Sequence, residues 1–456
     1  MLRVQNPATE EVIAQLETDT PASIPGKFLA AQAAQGEWAR RPLEERIECL
    51  KRFDALLQSR RGELAAVMTS ETGKPIQQSQ GEIAAVGARV EFFIANVASA
   101  VATETVLSGE SGGMIEKLSY EPLGVIGNIS AWNYPYFVGA NVFVPALLTG
   151  NAVLYKPSEF ATLTGLSIGE LLWEAGVPKD VFQVLVGGGE VGQALLEQPL
   201  CGMYFTGSHQ TGTKIAEAAS SKLMRVQLEL GGKDPAYVAD DVDLEAVAAG
   251  LADGAFYNAG QSCCSVERIY VHQGVYDGFV ELFVRMVQGF QIGDPTRDTT
   301  YIGPLTRPAQ IQVLEGQIAD ALSKGARLLA GGKAIDGPGS YFEPTVLVDV
   351  DESMEVMVEE SFGPIIGIQK VSDDQEALTR MNDSRYGLTA SVFTADRSRA
   401  EGMLSQVQAG SAYWNCCDRV SPRLPWTGWK DSGVGSTLGV EGIRAFVQPK
   451  GWHLRS

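Results

Sequence analysis

The sequence predicts an α/β protein: a doubly wound parallel sheet followed by a second α/β domain. Three observations predict it. Short apolar runs at 124–129, 152–155, 182–186, Gly202–Thr206 and 226–230 alternate with helical patterns at 137–148, 163–173, 190–196 and 211–220. Apolar strands separated by helices need cover on both faces, which is the condition of a parallel sheet. From Asp234 a second alternating region begins. Its helices fall at 244–257, Tyr276–Gln288, 308–324 and Asp374–Asn382, and its strands at 268–272, 345–350 and 365–370. Finally, 456 residues at 45% hydrophobic content exceed one ordinary domain and fill large cores.

Upstream of the first strand, residues 28–61 read as one helix, because Leu43, Ile47, Leu50, Phe53 and Leu57 recur at three- and four-residue steps. Residues 82–102 read as another, carrying Val86, Val90, Phe93 and Val97. The stretch 109–113 is a turn and 114–120 an exposed strand. Residues 413–446 are rich in aromatics and glycine.

Charge and composition exclude several classes. A net charge of -19 is a poor match for nucleic acid or an anionic membrane, both of which need basic patches. No uninterrupted apolar run reaches the roughly 18 residues that cross a bilayer. The first residues carry no signal-peptide core, from which a cytoplasmic location is expected. The six cysteines lack framework spacing, so reduced thiols are expected. The three histidines, His209, His272 and His453, are scattered, so no metal site is expected and proton transfer falls to carboxylates.

Two stretches carry chemistry. In Asn258-Ala259-Gly260-Gln261-Ser262-Cys263-Cys264 a cysteine follows a Gly-Gln pair among small residues. A thiolate there is a good nucleophile toward a carbonyl. In Gln227-Leu228-Glu229-Leu230-Gly231-Gly232 a carboxylate sits in an apolar strand, where its pKa rises and it can act as a general base. Nucleophile then base is the logic of forming and hydrolysing a thioester. Taken singly, a cysteine is more often a small core residue and a strand glutamate is more often paired.

Phosphate-binding signals are divided. Gly187-Gly188-Gly189-Glu190-Val191-Gly192 matches G-x-G-x-x-G between a strand and a helix, but the acidic residue expected about 20 positions on is missing. A rival is Thr206-Gly207-Ser208, where a hydroxyl residue opens a helix whose free N–H groups attract phosphate. Lys156-Pro157-Ser158-Glu159 ends a strand. It is either a capped turn or a ribose site, Lys156 donating and Glu159 accepting from vicinal hydroxyls while repelling a 2′-phosphate.

With Ala131-Trp132-Asn133-Tyr134-Pro135 and Glu359-Glu360-Ser361-Phe362-Gly363-Pro364, the stretches at 156–159, 205–208, 228–232 and 258–263 give six ordered motifs, and from Asn6 to Phe446 the chain resembles the aldehyde dehydrogenase superfamily, which favours the Gly207 turn over the Gly187 run. The resemblance implies a Rossmann-like cofactor domain (1–99 and 121–231, with 432–444), a catalytic domain (232–431) and a small β oligomerisation arm (100–120 and 445–456). It implies a homodimer or homotetramer. It implies Cys263 as nucleophile, Asn133 and the Cys263 N–H as oxyanion donors, and Glu229 as the base that hydrolyses the thioester, with a free acid as product. NAD, or NADP, would be held by Trp132, Lys156, Ser158, Glu159, Gly207, Ser208, Gly231, Glu360 and Phe362, with Glu159 favouring NAD.

Two departures stand out. Many members have a lysine where Val142 stands and a glutamate where Thr437 stands, a pair thought to carry protons from the base, so the relay here must differ. Cys264 adds a second thiol beside the nucleophile, either packing or able to shield it from overoxidation.

The aldehyde tunnel is expected at Tyr134, Phe137, Asn141, Tyr257, Ser262, Cys264 and Trp426, with residues 419–426 nearby. Tyr134, Tyr257 and Trp426 stand where betaine-aldehyde and aminoaldehyde dehydrogenases carry aromatics, and aromatic faces can hold a quaternary ammonium. The same walls suit a hydrophobic or aromatic aldehyde. A dicarboxylic semialdehyde would call for an arginine, for which Arg419 or Arg423 is available. A cofactor-independent thioesterase or esterase is the alternative activity.

Overall fold

The computed structural model describes residues 1–108 and 113–455. The six-stranded sheet runs, edge to edge, Gly433–Val434, Arg225–Glu229, Gly202–Thr206, Val125–Ile129, Ala152–Lys156 and Phe182–Val184. The last five strands are parallel and Gly433–Val434 is antiparallel. Chain order reverses between Val125–Ile129 and Gly202–Thr206. Such a reversal opens a crevice at the carboxyl ends of the strands.

The seven-stranded sheet runs Arg327–Ala330, Thr345–Val348, Ile365–Val371, Val266–His272, Asp234–Val238, Thr389–Phe393 and Ser411–Trp414. Asp234–Val238 lies inside this sheet and was not legible, because a proline in a run argues against an interior strand. The register shifts at Asp234/Pro235, so the missing N–H falls at an irregularity and costs no regular ladder bond. Each sheet has its own hydrophobic core.

The long helix expected over 28–61 is two helices, Ile24–Arg40 and Leu43–Ser59. Pro42 forbids helical backbone at Arg41, which is extended at φ -60°, ψ 139°. Helix Ile76–Ala100 is long and apolar enough, by length and composition, to cross a bilayer. Its Ile83, Val86, Val90, Phe93 and Val97 are instead packed into the first core. A third, antiparallel sheet joins Glu104–Ser108, Met114–Pro122 and Val447–Arg455, with Val447 opposite Pro122 and Arg455 opposite Met114. Most of the turn expected at 109–113 lies outside the described residues.

Candidate active site

The nucleophile loop begins where helix Leu244–Phe256 ends. Asn258, Ala259 and Gly260 are all left-handed, at φ 54°, 55° and 69°. Two non-glycine residues in that region cost about 1–3 kcal/mol each and persist only when their surroundings over-determine them. The Asn258 amide donates to the carbonyls of Asn133 and Gln261, both at 3.2 Å, and the Asn258 N–H donates to Gln78 Oε1 at 3.0 Å. The Gln261 side chain donates to the Asn258 carbonyl at 3.0 Å and accepts from the Thr306 N–H at 2.9 Å. At Gly260 a Cβ would lie 2.3 Å from the Gly363 carbonyl oxygen, so only glycine fits. The loop delivers Cys263, partly exposed, to a cavity of about 820 Å³. Beside it, buried Asn133 donates its amide to the Gln261 carbonyl at 3.1 Å. Asn133 just precedes helix Pro135–Leu148, whose first N–H groups, Tyr136 and Phe137, donate to Glu82 at 2.9 and 3.2 Å.

Glu229 ends strand Arg225–Glu229 and is 7% exposed. Its Oε1 accepts from Gln227 Nε2 at 2.8 Å and from Thr437 Oγ1 at 3.1 Å, while Oε2 is buried with no hydrogen-bond partner within bonding distance among the described residues. Burial pushes the carboxyl up to about 8, against the pull of those donors. Thr437 therefore touches the base directly, whereas Val142 is buried in the core. The two glycines after Glu229 are the junction of the site. A Cβ on Gly232 would lie 2.6 Å from the Cys263 carbonyl oxygen, and one on Gly231 would lie 2.3 Å from Glu360 Oε2. Glu360 accepts the Gly232 N–H at 3.1 Å, and burial lifts its carboxyl to about 8. Base strand, nucleophile loop and Glu360 thus meet at a backbone no larger residue could supply.

Along the crevice of the first sheet, Lys156 is buried at a strand end. Its Nζ donates to the Pro157 carbonyl at 3.1 Å and stands 3.9 Å from Glu159, whose carboxylate reaches solvent. Ser158 Oγ accepts the Phe160 N–H at 3.3 Å. The Gly207 N–H donates to the Glu229 carbonyl at 3.0 Å, tying this turn to the base strand. Ser208 caps helix His209–Ser220 through the Thr211 N–H, which leaves other first-turn N–H groups free for an anion. Trp132 meets Phe362 edge to face at 5.5 Å. A buried lysine beside an accepting carboxylate, a capped helix N-terminus and the buried Glu360 carboxyl suit a dinucleotide, with its diols and pyrophosphate. The Gly187 run follows Phe182–Val184, the edge strand of the sheet, away from the reversal point.

Every residue expected in the tunnel lines the Cys263 cavity: Tyr134, Phe137, Asn141, Tyr257, Ser262, Cys264 and Trp426. Arg419 lines it too. Tyr134 and Phe137 are stacked with centroids 6.1 Å apart. Lys74 Nζ lies 3.8 Å over the Tyr134 ring, and the Arg89 guanidinium lies 3.7 Å over Phe137 and donates to Asn141 Oδ1 at 3.0 Å. Buried Cys264 donates its thiol to Asp418 Oδ1 at 3.0 Å, and Ser262 donates to the same oxygen at 3.4 Å. Arg89 and Asp418 were missed by sequence reasoning. A signal existed for Arg89, a charge on the inward stripe of Val86, Val90 and Phe93; Asp418 had none.

The aldehyde dehydrogenase family model matches residues 1–451. Among curated relatives, the betaine aldehyde dehydrogenase of Brucella melitensis is 38% identical over 454 residues, covering 98% of this chain and 93% of that one. That of Cereibacter sphaeroides is 38% identical over 445 residues, covering 97% and 92%. Among solved structures, the lactaldehyde dehydrogenase of Escherichia coli superposes with a TM-score of 0.96 at 35% identity, covering 100% of this chain and 95% of that one. The betaine aldehyde dehydrogenase of Staphylococcus aureus, solved in complex with NAD+, superposes with a TM-score of 0.96 at 30% identity, covering 99% and 91%. By sequence over nearly its whole length, and by fold, this chain belongs to the aldehyde dehydrogenase family.

Proposed function

We propose that this protein oxidises an aldehyde to the carboxylic acid with NAD as acceptor, NADP being a possible substitute. The observation that carries the reading is the meeting of Cys263, Glu229 and Glu360 at Gly231-Gly232. The Cys263 sulfur adds to the aldehyde carbon. The Asn133 amide, released from the Gln261 carbonyl, and the Cys263 N–H hold the resulting oxyanion. One such donor is worth about 3 kcal/mol. A nicotinamide held by Glu360 and its neighbours would supply the hydride acceptor, so that the carbon bonded to Cys263 passes from thiohemiacetal to thioester. Glu229, once ionised, takes a proton from water, the water attacks the thioester, and acid and free thiol result. Thr437 and Gln227 hold the carboxylate of Glu229 in place.

Lys156, Ser158, Glu159, Gly207, Ser208, Gly231, Glu360, Trp132 and Phe362 would hold the cofactor. Glu159 supports NAD over NADP, since a 2′-phosphate would meet a carboxylate. The aromatic cavity supports a hydrophobic or aromatic aldehyde. The names of the Brucella and Cereibacter relatives support betaine aldehyde, and the same aromatic cavity suits an aminoaldehyde. The exposed strand Val447–Arg455 on Met114–Pro122 supports an arm at 100–120 and 445–456 that joins subunits into a homodimer or homotetramer.

The test is reduced-nicotinamide formation from NAD or NADP with a panel of aldehydes, wild type beside Cys263→Ala. Formation that vanishes in the variant is expected. Ester hydrolysis that depends on Cys263, with no NADH from any aldehyde, would replace this reading with a cofactor-independent esterase.

A further inference from the structure

Of the rings that the sequence offers to a cationic substrate, Tyr134 is engaged from within, and so is its neighbour Phe137. Lys74 lies over Tyr134 and Arg89 over Phe137, at 3.8 and 3.7 Å. Those two rings stack on each other with planes 9° apart, so each has one face against a cation and the other against its neighbour. A substrate cation at Tyr134 or Phe137 would therefore find each ring already shared between a protein cation and the other ring.

The opposite charge lies elsewhere on the same cavity. Carboxylates of Glu82, Asp243, Asp253 and Asp418 line it against the guanidiniums of Arg89 and Arg419. Glu82 is taken by Lys74 and by the helix N-terminus at Tyr136 and Phe137. Asp253 accepts from the Tyr301 hydroxyl at 2.5 Å. Asp418 differs. Among the described residues its hydrogen-bond donors are Cys264 and Ser262, two neutral groups that converge on one oxygen, Oδ1. Burial and the nearby Asp253 charge lift this carboxyl to about 6, against the pull of the Cys264 and Ser262 hydrogen bonds and of the Arg419 guanidinium, so it is mostly ionised at neutral pH. An ionised carboxylate whose hydrogen-bond donors are neutral, with Arg419 near but not bonded to it, gains from a cation that bonds it directly.

Its position fits a substrate contact. Ser262 and Cys264 flank Cys263, so the carboxylate is anchored to the residues on either side of the nucleophile. We propose that Asp418 is a specificity-determining residue that binds the positively charged end of a short aminoaldehyde while Cys263 attacks its carbonyl. This rests on the aldehyde-oxidising reading above. The contact is a carboxylate and not a ring face, so an ammonium with N–H donors is bound better than a trimethylammonium group, which can donate nothing.

The experiment compares kcat/KM with NAD for two pairs matched in shape, 3-aminopropanal against butanal and betaine aldehyde against 3,3-dimethylbutanal. It uses wild type, Asp418→Asn and Asp418→Glu. The expected wild-type order is 3-aminopropanal above butanal. In Asp418→Asn the 3-aminopropanal-to-butanal ratio falls about tenfold or more, carried by KM, as loss of a hydrogen bond to a charged group predicts. Asp418→Glu recovers part of it. The betaine-aldehyde ratio falls less. A wild-type preference for butanal overturns the proposal, as does an Asp418→Asn ratio within twofold of wild type. An equal loss of kcat on all four aldehydes also overturns it, and makes Asp418 a positioning residue for the Cys263 loop. Absence of NADH with every aldehyde would instead defeat the aldehyde-oxidising reading itself.

Discussion

Thr437 donates its hydroxyl to Glu229: Oγ1 and Oε1 are 3.1 Å apart, beside the Gln227 amide at 2.8 Å. Both donors favour the ionised form, and burial opposes them. Removing one donor in Thr437→Val should raise the Glu229 pKa above about 8. A hydrogen bond to a charge is worth about 1.5 kcal/mol or more, hence about one pH unit. The rising limb of the kcat profile should therefore move up by about one unit, with activity at pH 7 falling. A profile that stays in place would separate Thr437 from the base.

Glu229→Gln should leave thioester formation and block its hydrolysis. A burst of about one NADH per active subunit should persist in rapid mixing, followed by a steady rate reduced about 10²- to 10⁴-fold. Loss of the burst as well would place Glu229 in the acylation half of the cycle.

Gly260→Ala should fail structurally. The added methyl would meet the Gly363 carbonyl oxygen at 2.3 Å from a backbone at φ +69°. Strain and overpacking together cost about 2–4 kcal/mol. A lower Tm and lost activity are expected. Gly316→Ala, in helix Gln310–Ser323 with nothing within 4 Å of its Cβ, should hold or raise the Tm.

Glu159→Gln should relax cofactor choice. With the charge gone, the kcat/KM ratio of NADP to NAD should rise about tenfold, an electrostatic discrimination of about 1.4 kcal/mol. An unchanged ratio would move the discrimination to another residue.

Stability should fall as pH rises toward 8. Burial raises Glu229 and Glu360 from 4.5 to about 8 and Asp234 from 3.8 to about 8. Each binds a proton in the folded state that the unfolded chain has released. The folded state therefore loses stability from about pH 5 upward, through its own pKa values. Calorimetry should give a lower Tm at pH 8.5 than at pH 6, with a shallower slope in Glu360→Gln. An equal slope in that variant would mean Glu360 is ionised throughout.

Much of the molecule was legible because its signals are local. Strand Gly202–Thr206 and helices Tyr276–Gln288 and Asp374–Asn382 have the bounds their periodicity predicts, since one face or both must be apolar to be buried. Two of the misreadings were local conflicts. Pro42 cuts a continuous apolar stripe, and Pro235 hides an interior strand behind a register irregularity.

The α/β class, the six ordered motifs and the chemical types at the centre (a thiol, a carboxylate in an apolar strand and a side-chain amide) are readable from the chain alone. Those depend on residue identity and short spacing. Which charges face the nucleophile is set by packing between distant segments. Arg89 arrives from a helix far upstream and Asp418 from a loop far downstream, and Thr437 reaches Glu229 across 208 positions. The same holds for the rings. Tyr134 and Phe137 are visible as aromatics in any reading, but Lys74 and Arg89 over them are not. Contacts of that separation are set by how helices and sheets pack, and no periodicity within one segment encodes them.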